Sequence, residues 1–209
     1  MQNIKKLIIL AKQFNVMAQA EKLPEDSNNL KTILKNIDKL ETFNAKKKYA
    51  EKNLKHLSSG SSRVVYLTPN KTVVKLAKNE KGLAQNKAEA SPKYKSKYIN
   101  KTISSSKDYN WIEVDYLNKI TNKEFKELSK IEFNDFCNSL RHELRDKKKP
   151  SNFDEVSKSS FYKEIVNLIN KNDLAVGDVC RISSWGEKDN RPILIDTGLT
   201  SKIFEKYYE

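Results

Sequence analysis

Cysteine, histidine and glycine are scarce: the 209 residues hold two, two and five of them. Cys137 and Cys180 show neither a metal-ligand spacing nor a disulfide framework, so free thiols in a reducing compartment are expected. His56 and His142 have no ligand partners in sequence and read as surface residues. Long apolar runs are missing too. No stretch approaches 18 uninterrupted apolar residues, so no membrane span is expected. The N-terminus opens like a signal peptide, with lysines before an apolar run, but the run 7–11 is too short and Lys12 interrupts it. No internal repeat is visible.

What the chain does have is charge. Charged residues make up 32% against 37% hydrophobic, enough for a modest core, and the formal net charge is +13. Residues 1–59 carry 12 basic and 6 acidic side chains, residues 60–109 carry 11 and 3, and residues 110–209 carry 17 and 18. The excess lies entirely in the first half. Such a surface attracts phosphates of nucleotides or nucleic acid. A solvated, lysine-rich surface is the simpler and favoured reading. No recognition motif accompanies the lysines and no aromatics interleave with them, so nucleic-acid binding is expected to be weak and nonspecific at most.

Residues 1–55 read as helical. Ile4, Leu7, Ile8, Ala11 and Phe14 share one helical face, and after the break at 23–27 a second stripe runs Leu30, Ile33, Leu34, Ile37, Leu40. A helical hairpin docking on the main domain, or on a partner, fits both. From residue 57 the character changes. Residues 58–62 are turn-rich, and two β-rich runs, 64–67 and 72–77, flank Thr68-Pro69-Asn70-Lys71 as a hairpin. Residues 81–90 read as a short helix and 111–117 as a strand. Thr121 and Glu124 form a capping-box pattern ahead of a long helix through Phe125, Leu128, Phe136, Leu140 and Leu144, with a bend suggested by Ile131 and Phe133. A further helix runs through Phe161, Ile165, Leu168 and Ile169. Gly177-Asp178 opens a loop, and residues 192–195 form a short buried strand. The order is α+β: a helical N-terminal extension (1–55), a small β-rich lobe (56–117) and a helical lobe (118–209).

Four elements in this order carry chemistry. The Ser/Gly loop around Gly60, Ser61 and Ser62 joins two strands, and backbone N–H groups in such a loop can meet phosphate oxygens. Lys75 lies in Val-Val-Lys-Leu-Ala, pointing opposite to Val74; in isolation it reads as an exposed strand residue. Glu89 follows 14 positions later on a helix, where a carboxylate can hold an ammonium in place. Asp178 stands in Gly-Asp-Val-Cys-Arg-Ile, and Asp196 ends a buried strand before Thr197-Gly198, a setting that suits a Mg²⁺ ligand. Each alone has an ordinary structural reading. Asp-Thr-Gly also occurs in aspartic proteases, but those need an all-β chain with a second aspartyl lobe or a dimer.

Together the four resemble the layout of protein-kinase-like folds, and more closely the short kinase-like proteins of tailed bacteriophages. The resemblance is carried by Gly60-Ser61-Ser62-Arg63-Val64-Val65-Tyr66, by Val74-Lys75-Leu76-Ala77-Lys78-Asn79 with Lys81-Gly82 and Gln85-Asn86-Lys87-Ala88-Glu89, and by Trp111-Ile112-Glu113-Val114. It continues in Gly177-Asp178 with Arg181-Ile182 and Trp185-Gly186, and in Ile195-Asp196-Thr197-Gly198-Leu199-Thr200. It covers residues 57–209 and none of residues 1–55. It implies a minimal bilobal kinase-like fold with a small β-rich N-lobe and a reduced helical C-lobe. It also implies an ATP site with Mg²⁺. The loop at Gly60, Ser61 and Ser62 would cover the phosphates, Lys75 would contact them and pair with Glu89, and residues 115–117 would meet the adenine. Asp178 would sit at the catalytic-base position and Asp196 at the metal position.

The departures weigh on activity. Val176-Gly177 replace the His-Arg that kinases carry before the catalytic aspartate, and Ser183 replaces their second metal ligand, an Asn. Eleven residues follow Gly198, too few for an activation segment or a peptide-docking platform. The leading expectation is therefore a non-catalytic or degenerate nucleotide-binding module. It would serve as a viral structural, packaged or interaction protein, in the host cytoplasm or the virion, with the helical extension meeting a phage structural protein. The alternative is a reduced phosphotransferase acting on a small or trans-held acceptor. Trp185 has two readings, a nucleotide cover or a core aromatic, with the core favoured.

Overall fold

The computed structural model describes residues 29–208, so the stripe from Ile4 to Phe14 and the break at 23–27 lie outside it. Its elements run α1 (Leu30–Lys39), α2 (Phe43–Asn53), β1 (Lys55–Ser59), β2 (Arg63–Leu67), β3 (Thr72–Ala77), α3 (Glu80–Ala90), β4 (Thr102–Ser105) and β5 (Trp111–Asp115). They continue with α4 (Asn122–Ser129), α5 (Phe133–Arg145), α6 (Phe153–Val156), α7 (Ser160–Asn172), α8 (Val176–Val179), a 3₁₀ turn (Ile182–Ser184), β6 (Trp185–Lys188), β7 (Arg191–Leu194) and α9 (Ser201–Tyr208). Among the described residues no helix is long and apolar enough to cross a membrane. The chain divides into two compact units: the described part of Met1–Leu83 with Ile103–Tyr116, and Ala84–Thr102 with Leu117–Glu209; the division falls inside α3.

In the first unit five strands form one sheet in the order β1-β2-β3-β5-β4. β2 and β3 are the antiparallel hairpin expected around Pro69-Asn70, paired from Arg63↔Ala77 to Leu67↔Val73. Lys71, at φ 59°, takes the left-handed turn position. Side chains alternate across a strand, so Tyr66, Val74 and Leu76 share a face with Trp111. That face packs against Leu30, Ile33, Leu34 and Ile37 of α1. Of the two dockings open to this helical stripe, it takes the intramolecular one. Two polar ties secure it: Trp111 Nε1 donates to Asp38 Oδ1 at 2.8 Å, and the buried Lys46 ammonium donates to Leu40 O at the end of α1. The Asp38 carboxyl sits above its ordinary value because burial disfavours its charge, an effect the Trp111 hydrogen bond partly offsets.

The second unit is mainly helical. Thr121 caps α4 in a reciprocal capping box with Glu124, as the sequence pattern requires. The expected long helix is two: the chain breaks at Lys130, in the left-handed region at φ 66°, before α5 starts at Phe133. The break lets Phe125, Phe133 and Phe136 pack on one another. Trp185 is fully buried among Phe125, Phe136 and Phe161, which is the core reading. The expected strand at 192–195 is β7, and its hairpin partner β6 follows the 3₁₀ turn. The loop expected at Gly177-Asp178 is instead the one-turn helix α8. Its backbone bonds close locally, with Asp178 N donating to Ala175 O at 3.0 Å and Cys180 N to Val176 O at 3.0 Å.

Candidate functional site

The β1–β2 connection is a pinned turn. Gly60 N donates to Arg63 O at 2.9 Å. Lys78 Nζ donates to Gly60 O at 2.7 Å and to Ser59 Oγ at 3.2 Å, Asn79 Nδ2 donates to Ser61 O at 3.0 Å, and Lys78 N donates to Ser62 O at 2.8 Å. The same Asn79 accepts from Gly82 N at 3.0 Å, starting α3 in the manner of an N-cap. Gly82 is required by packing: a Cβ there would lie 2.2 Å from Ser62 O. Gly60 is not. Among the described residues beyond its chain neighbours, a Cβ on Gly60 would meet nothing nearer than Arg63 O at 3.9 Å, and its φ is outside the left-handed region. Gly60 and Ser61 are exposed, while Ser62 is buried.

Lys75 sits on β3 between Val65 and Ile112 in the ladder, on the face opposite Val74. The expectation of an exposed strand residue fails here: Lys75 is only 7% exposed. A charged lysine is taken out of water only where partners or a function hold it. Glu89 is buried as well, on the part of α3 that belongs to the second unit. On β5, buried Glu113 accepts from Thr72 Oγ1 at 2.6 Å and Ser104 Oγ at 2.7 Å, a cross-strand network with no assigned role in the sequence reading.

In the second unit Asp178 and Asp196 occupy adjacent segments. Residues 195–201 run beside 173–184, joined by Ala175 N to Leu199 O at 3.0 Å, Ile195 N to Ser184 O at 2.8 Å and Ser201 N to Asp173 O at 2.8 Å. The Asp178 side chain is 19% exposed and pairs with Arg181 Nη1 at 3.1 Å. Trp185 Nε1 donates to Val179 O at 2.8 Å, so the core aromatic also anchors the turn carrying Asp178. Asp196 Oδ1 accepts from Gly198 N at 3.4 Å. Ser183 is exposed in the 3₁₀ turn.

No protein-family model matches this chain, and no curated protein matches it. Solved structures that are similar to it include two aminoglycoside-phosphotransferase structures. One is the ternary complex of streptomycin, ATP and APH(2″)-IIa, at 18% identity and a TM-score of 0.33, covering 70% of this chain and 65% of that one. The other is the ADP-bound aminoglycoside phosphotransferase APH(2″)-Ib, at 17% identity and a TM-score of 0.34, with the same coverage. This chain thus spans 65% of the length of each. At these TM-scores the likeness carries no argument, and the site rests on the chain's own geometry.

Among the described residues no group of three or more His, Cys, Asp or Glu side chains could hold a metal. Two carboxylates on adjacent segments are hard oxygen donors suited to Mg²⁺ only if further oxygens come from a ligand such as a phosphate. The bland histidines have structural surroundings: His56 is exposed and packs edge-on to Tyr66 at 6.0 Å, and His142 lies on Phe153 with Nδ1 2.7 Å from Lys147 O. The Cys180 thiol donates to the Cys137 carbonyl oxygen at 3.9 Å. The neighbouring Cys137 thiol and the Arg141 charge hold Cys180 below the ordinary thiol value, and the nearness of Cys180 together with burial pushes Cys137 up. Sequence reasoning quoted Lys78, Asn79 and Gly82 without assigning them work. The available signal was an Asn immediately before a helix whose third residue is a small one.

Proposed function

We propose that this chain is a kinase-like nucleotide-binding module that takes ATP, or a related nucleoside polyphosphate, with Mg²⁺. The observation that carries the reading is the buried strand lysine, Lys75, on the second strand after the pinned Ser/Gly turn, ahead of the helix bearing Glu89. This order within one antiparallel sheet and its helix is the layout the sequence resembles. In the proposal the turn at Gly60, Ser61 and Ser62 approaches the phosphates, and Lys75 neutralises phosphate charge. The role of Glu89 as the partner of Lys75 belongs to the same proposal. Asp196, with Asp178 on the adjacent segment, supplies carboxylate oxygens to Mg²⁺ whose other ligands are phosphate oxygens. When bound, the metal would neutralise the triphosphate and the nucleotide would offer a transferable phosphoryl group.

A binding role is favoured over catalysis by two features. Asp178 is ion-paired with Arg181 of its own turn, and a hydroxyl, Ser183, stands where a second metal ligand is needed. The alternative, a slow phosphotransferase acting on a small or trans-held acceptor, retains Lys75, Asp178 and Asp196 in catalytic roles. A place in a bacteriophage, as a packaged or structural partner in the virion or host cytoplasm, rests on the quoted sequence blocks and is part of the proposal. Nucleic acid is a weak, salt-sensitive ligand in this reading, since the lysine excess lacks a base-reading element.

The test is calorimetric titration with ATP, with and without Mg²⁺, alongside a turnover assay. Wild type should bind, and Lys75→Met should weaken binding by about tenfold or more, equal to ~1.4 kcal/mol. Turnover abolished by Asp196→Asn would establish the phosphotransferase instead. Absence of nucleotide binding at millimolar ATP would overturn both.

A further inference from the structure

In the second unit, residues 91–101 between α3 and β4 form no helix and no strand beyond a single bridge from Ile99 to Leu194. The segment is nevertheless fastened along its length. Tyr94 N donates to Asn172 Oδ1 and Asn172 Nδ2 donates to Tyr94 O, both at 2.8 Å. The Tyr94 hydroxyl donates to the Glu164 carboxylate at 3.0 Å, and Ser96 Oγ donates to the same carboxylate at 2.7 Å. Tyr98 packs edge-on to Phe161 with ring centroids 5.0 Å apart, and its carbonyl accepts from Leu194 N at 2.7 Å. These ties all use positions 94, 96 and 98.

The positions between and beside them are Lys93, Lys95 and Lys97, all exposed, with exposed Lys101 beyond. Residues 91–101 contain no Asp or Glu. The carboxylate that reaches the segment, Glu164, is taken by two hydroxyls. Lys171 of α7, also exposed, adds its charge 4.5 Å from the centre of the Tyr94 ring. Among the described residues none of these five lysines has an ion pair. Other exposed lysines do have an acid beside them, as in Lys47–Glu51 at 3.5 Å and Lys149–Asp154 at 2.8 Å. Like charges repel, and a loose loop would let them spread. Here the inward ties hold the cations side by side.

The chemistry of the ribbon selects its partner. Protein interfaces are depleted in lysine and are anchored by aromatic or arginine side chains. Tyr94 and Tyr98 do alternate with these lysines, against the expectation that no aromatics interleave with the charge, but both are turned inward. An anionic membrane holds a polybasic patch stably only beside an apolar or acyl anchor. Single-stranded nucleic acid is held by exposed aromatic platforms. A row of point charges with none of these suits the phosphate backbone of a duplex, whose bases are already stacked. We propose that Lys93, Lys95 and Lys97, with Lys101 and Lys171, form a preset basic ribbon that takes the phosphate backbone of double-stranded nucleic acid without reading its sequence. This gives the weak nucleic-acid binding of the preceding reading a place on the fold, and it does not depend on nucleotide binding.

The test is fluorescence anisotropy with a short duplex DNA of random sequence, the single strand of the same length, and vesicles containing phosphatidylserine, from about 50 to 200 mM salt. The triple variant Lys93→Gln, Lys95→Gln, Lys97→Gln is compared with Lys31→Gln, Lys35→Gln, Lys39→Gln, which removes the same charge from exposed positions of α1. At low salt the ribbon variant should bind the duplex on the order of tenfold more weakly, and its slope of log K against log[salt] should shrink by about 2–3, near one per lysine. The α1 variant should keep the wild-type slope. Arginine at all three ribbon positions should keep the slope too, which separates lost charge from lost folding. Calorimetry with ATP should give the same result for the ribbon variant as for wild type, so the nucleotide reading stands or falls separately. Equal losses in the two triple variants would mean diffuse charge and overturn the proposal. So would tighter binding of the single strand, binding of vesicles in place of DNA, or no duplex binding by wild type at low salt.

Discussion

Replacing Gly82 by alanine puts opposing effects of known size against each other. Gly82 lies in the first turn of α3, where Ala is the better helix former by about 1 kcal/mol. Against that, the new Cβ would stand 2.2 Å from Ser62 O, 3.0 Å from Ala77 Cα and 3.1 Å from Ala77 Cβ. All three are backbone or close to it, so no flexible side chain can swing away. Ser62 O would have to retreat by about 1 Å to reach an ordinary contact, which stretches its 2.8 Å bond from Lys78 N beyond hydrogen-bond range. A lost hydrogen bond costs about 0.5–1.5 kcal/mol, and overpacking of this kind costs about 1–3 kcal/mol. The clash wins, and Gly82→Ala should lose about 2–3 kcal/mol, or roughly 10 °C for a unit of about 100 residues. Thermal unfolding by circular dichroism measures it. Gly177→Ala is the control, because among the described residues a Cβ there meets nothing within 4 Å beyond its chain neighbours and its own turn; it should be neutral or gain up to ~1 kcal/mol. Gly60→Ala should likewise keep wild-type stability while lowering ATP affinity, as only a ligand makes use of the open space there. Gly82→Ala as stable as wild type would refute the packing argument, and Gly60→Ala with unaltered ATP affinity would refute the close approach of phosphate.

Three other outcomes are expected. The Tyr66 hydroxyl is buried with no hydrogen-bond partner among the described residues, and burial pushes it well above the ordinary phenol value; Tyr66→Phe should be neutral or stabilising by up to ~1–3 kcal/mol, and a clear destabilisation in urea unfolding would contradict it. Burial raises the folded-state value of Asp38, so the folded chain holds the proton longer than the unfolded one. Its contribution to stability therefore declines as pH rises from the ordinary carboxylate value through the raised one; the stability difference between wild type and Asp38→Asn, followed from about pH 3 to 6, should move in favour of the Asn variant, and a flat difference would rule this out. Iodoacetamide should label Cys180 before Cys137, with a rate inflecting below the ordinary thiol value of about 8.5, and Cys137→Ala should move that inflection upward; equal labelling of the two, read by mass spectrometry, would disprove the pairing.

Local rules accounted for what local forces decide. The stripe from Leu30, the hairpin around Pro69-Asn70 and the capping box of Thr121 and Glu124 depend on neighbours within a few residues, and they formed, except that the stripe ends at Ile37: Leu40, read as its last member, is the extended C-cap of α1. Side-chain alternation also put Lys75 on the face opposite Val74. Its burial was not legible, because burial depends on what covers that face, and alternation says only which face. The short strand β4 was missed for a related reason: Thr102-Ile103-Ser104-Ser105 has little strand character of its own and is held at the sheet edge beside β5. β6 begins at a tryptophan whose burial among Phe125, Phe136 and Phe161 is a long-range event. Gly177-Asp178 reads as a loop from composition, yet one closed turn forms there because Trp185 holds Val179 O from the core side and Leu199 O accepts from Ala175 N. The order of Gly60, Lys75, Glu89, Asp178 and Asp196 along the chain was determined by the sequence alone. The clamp of Lys78 and Asn79 on the β1–β2 turn was decided only in the tertiary structure, since it joins residues about 18 apart that a hairpin must first bring side by side.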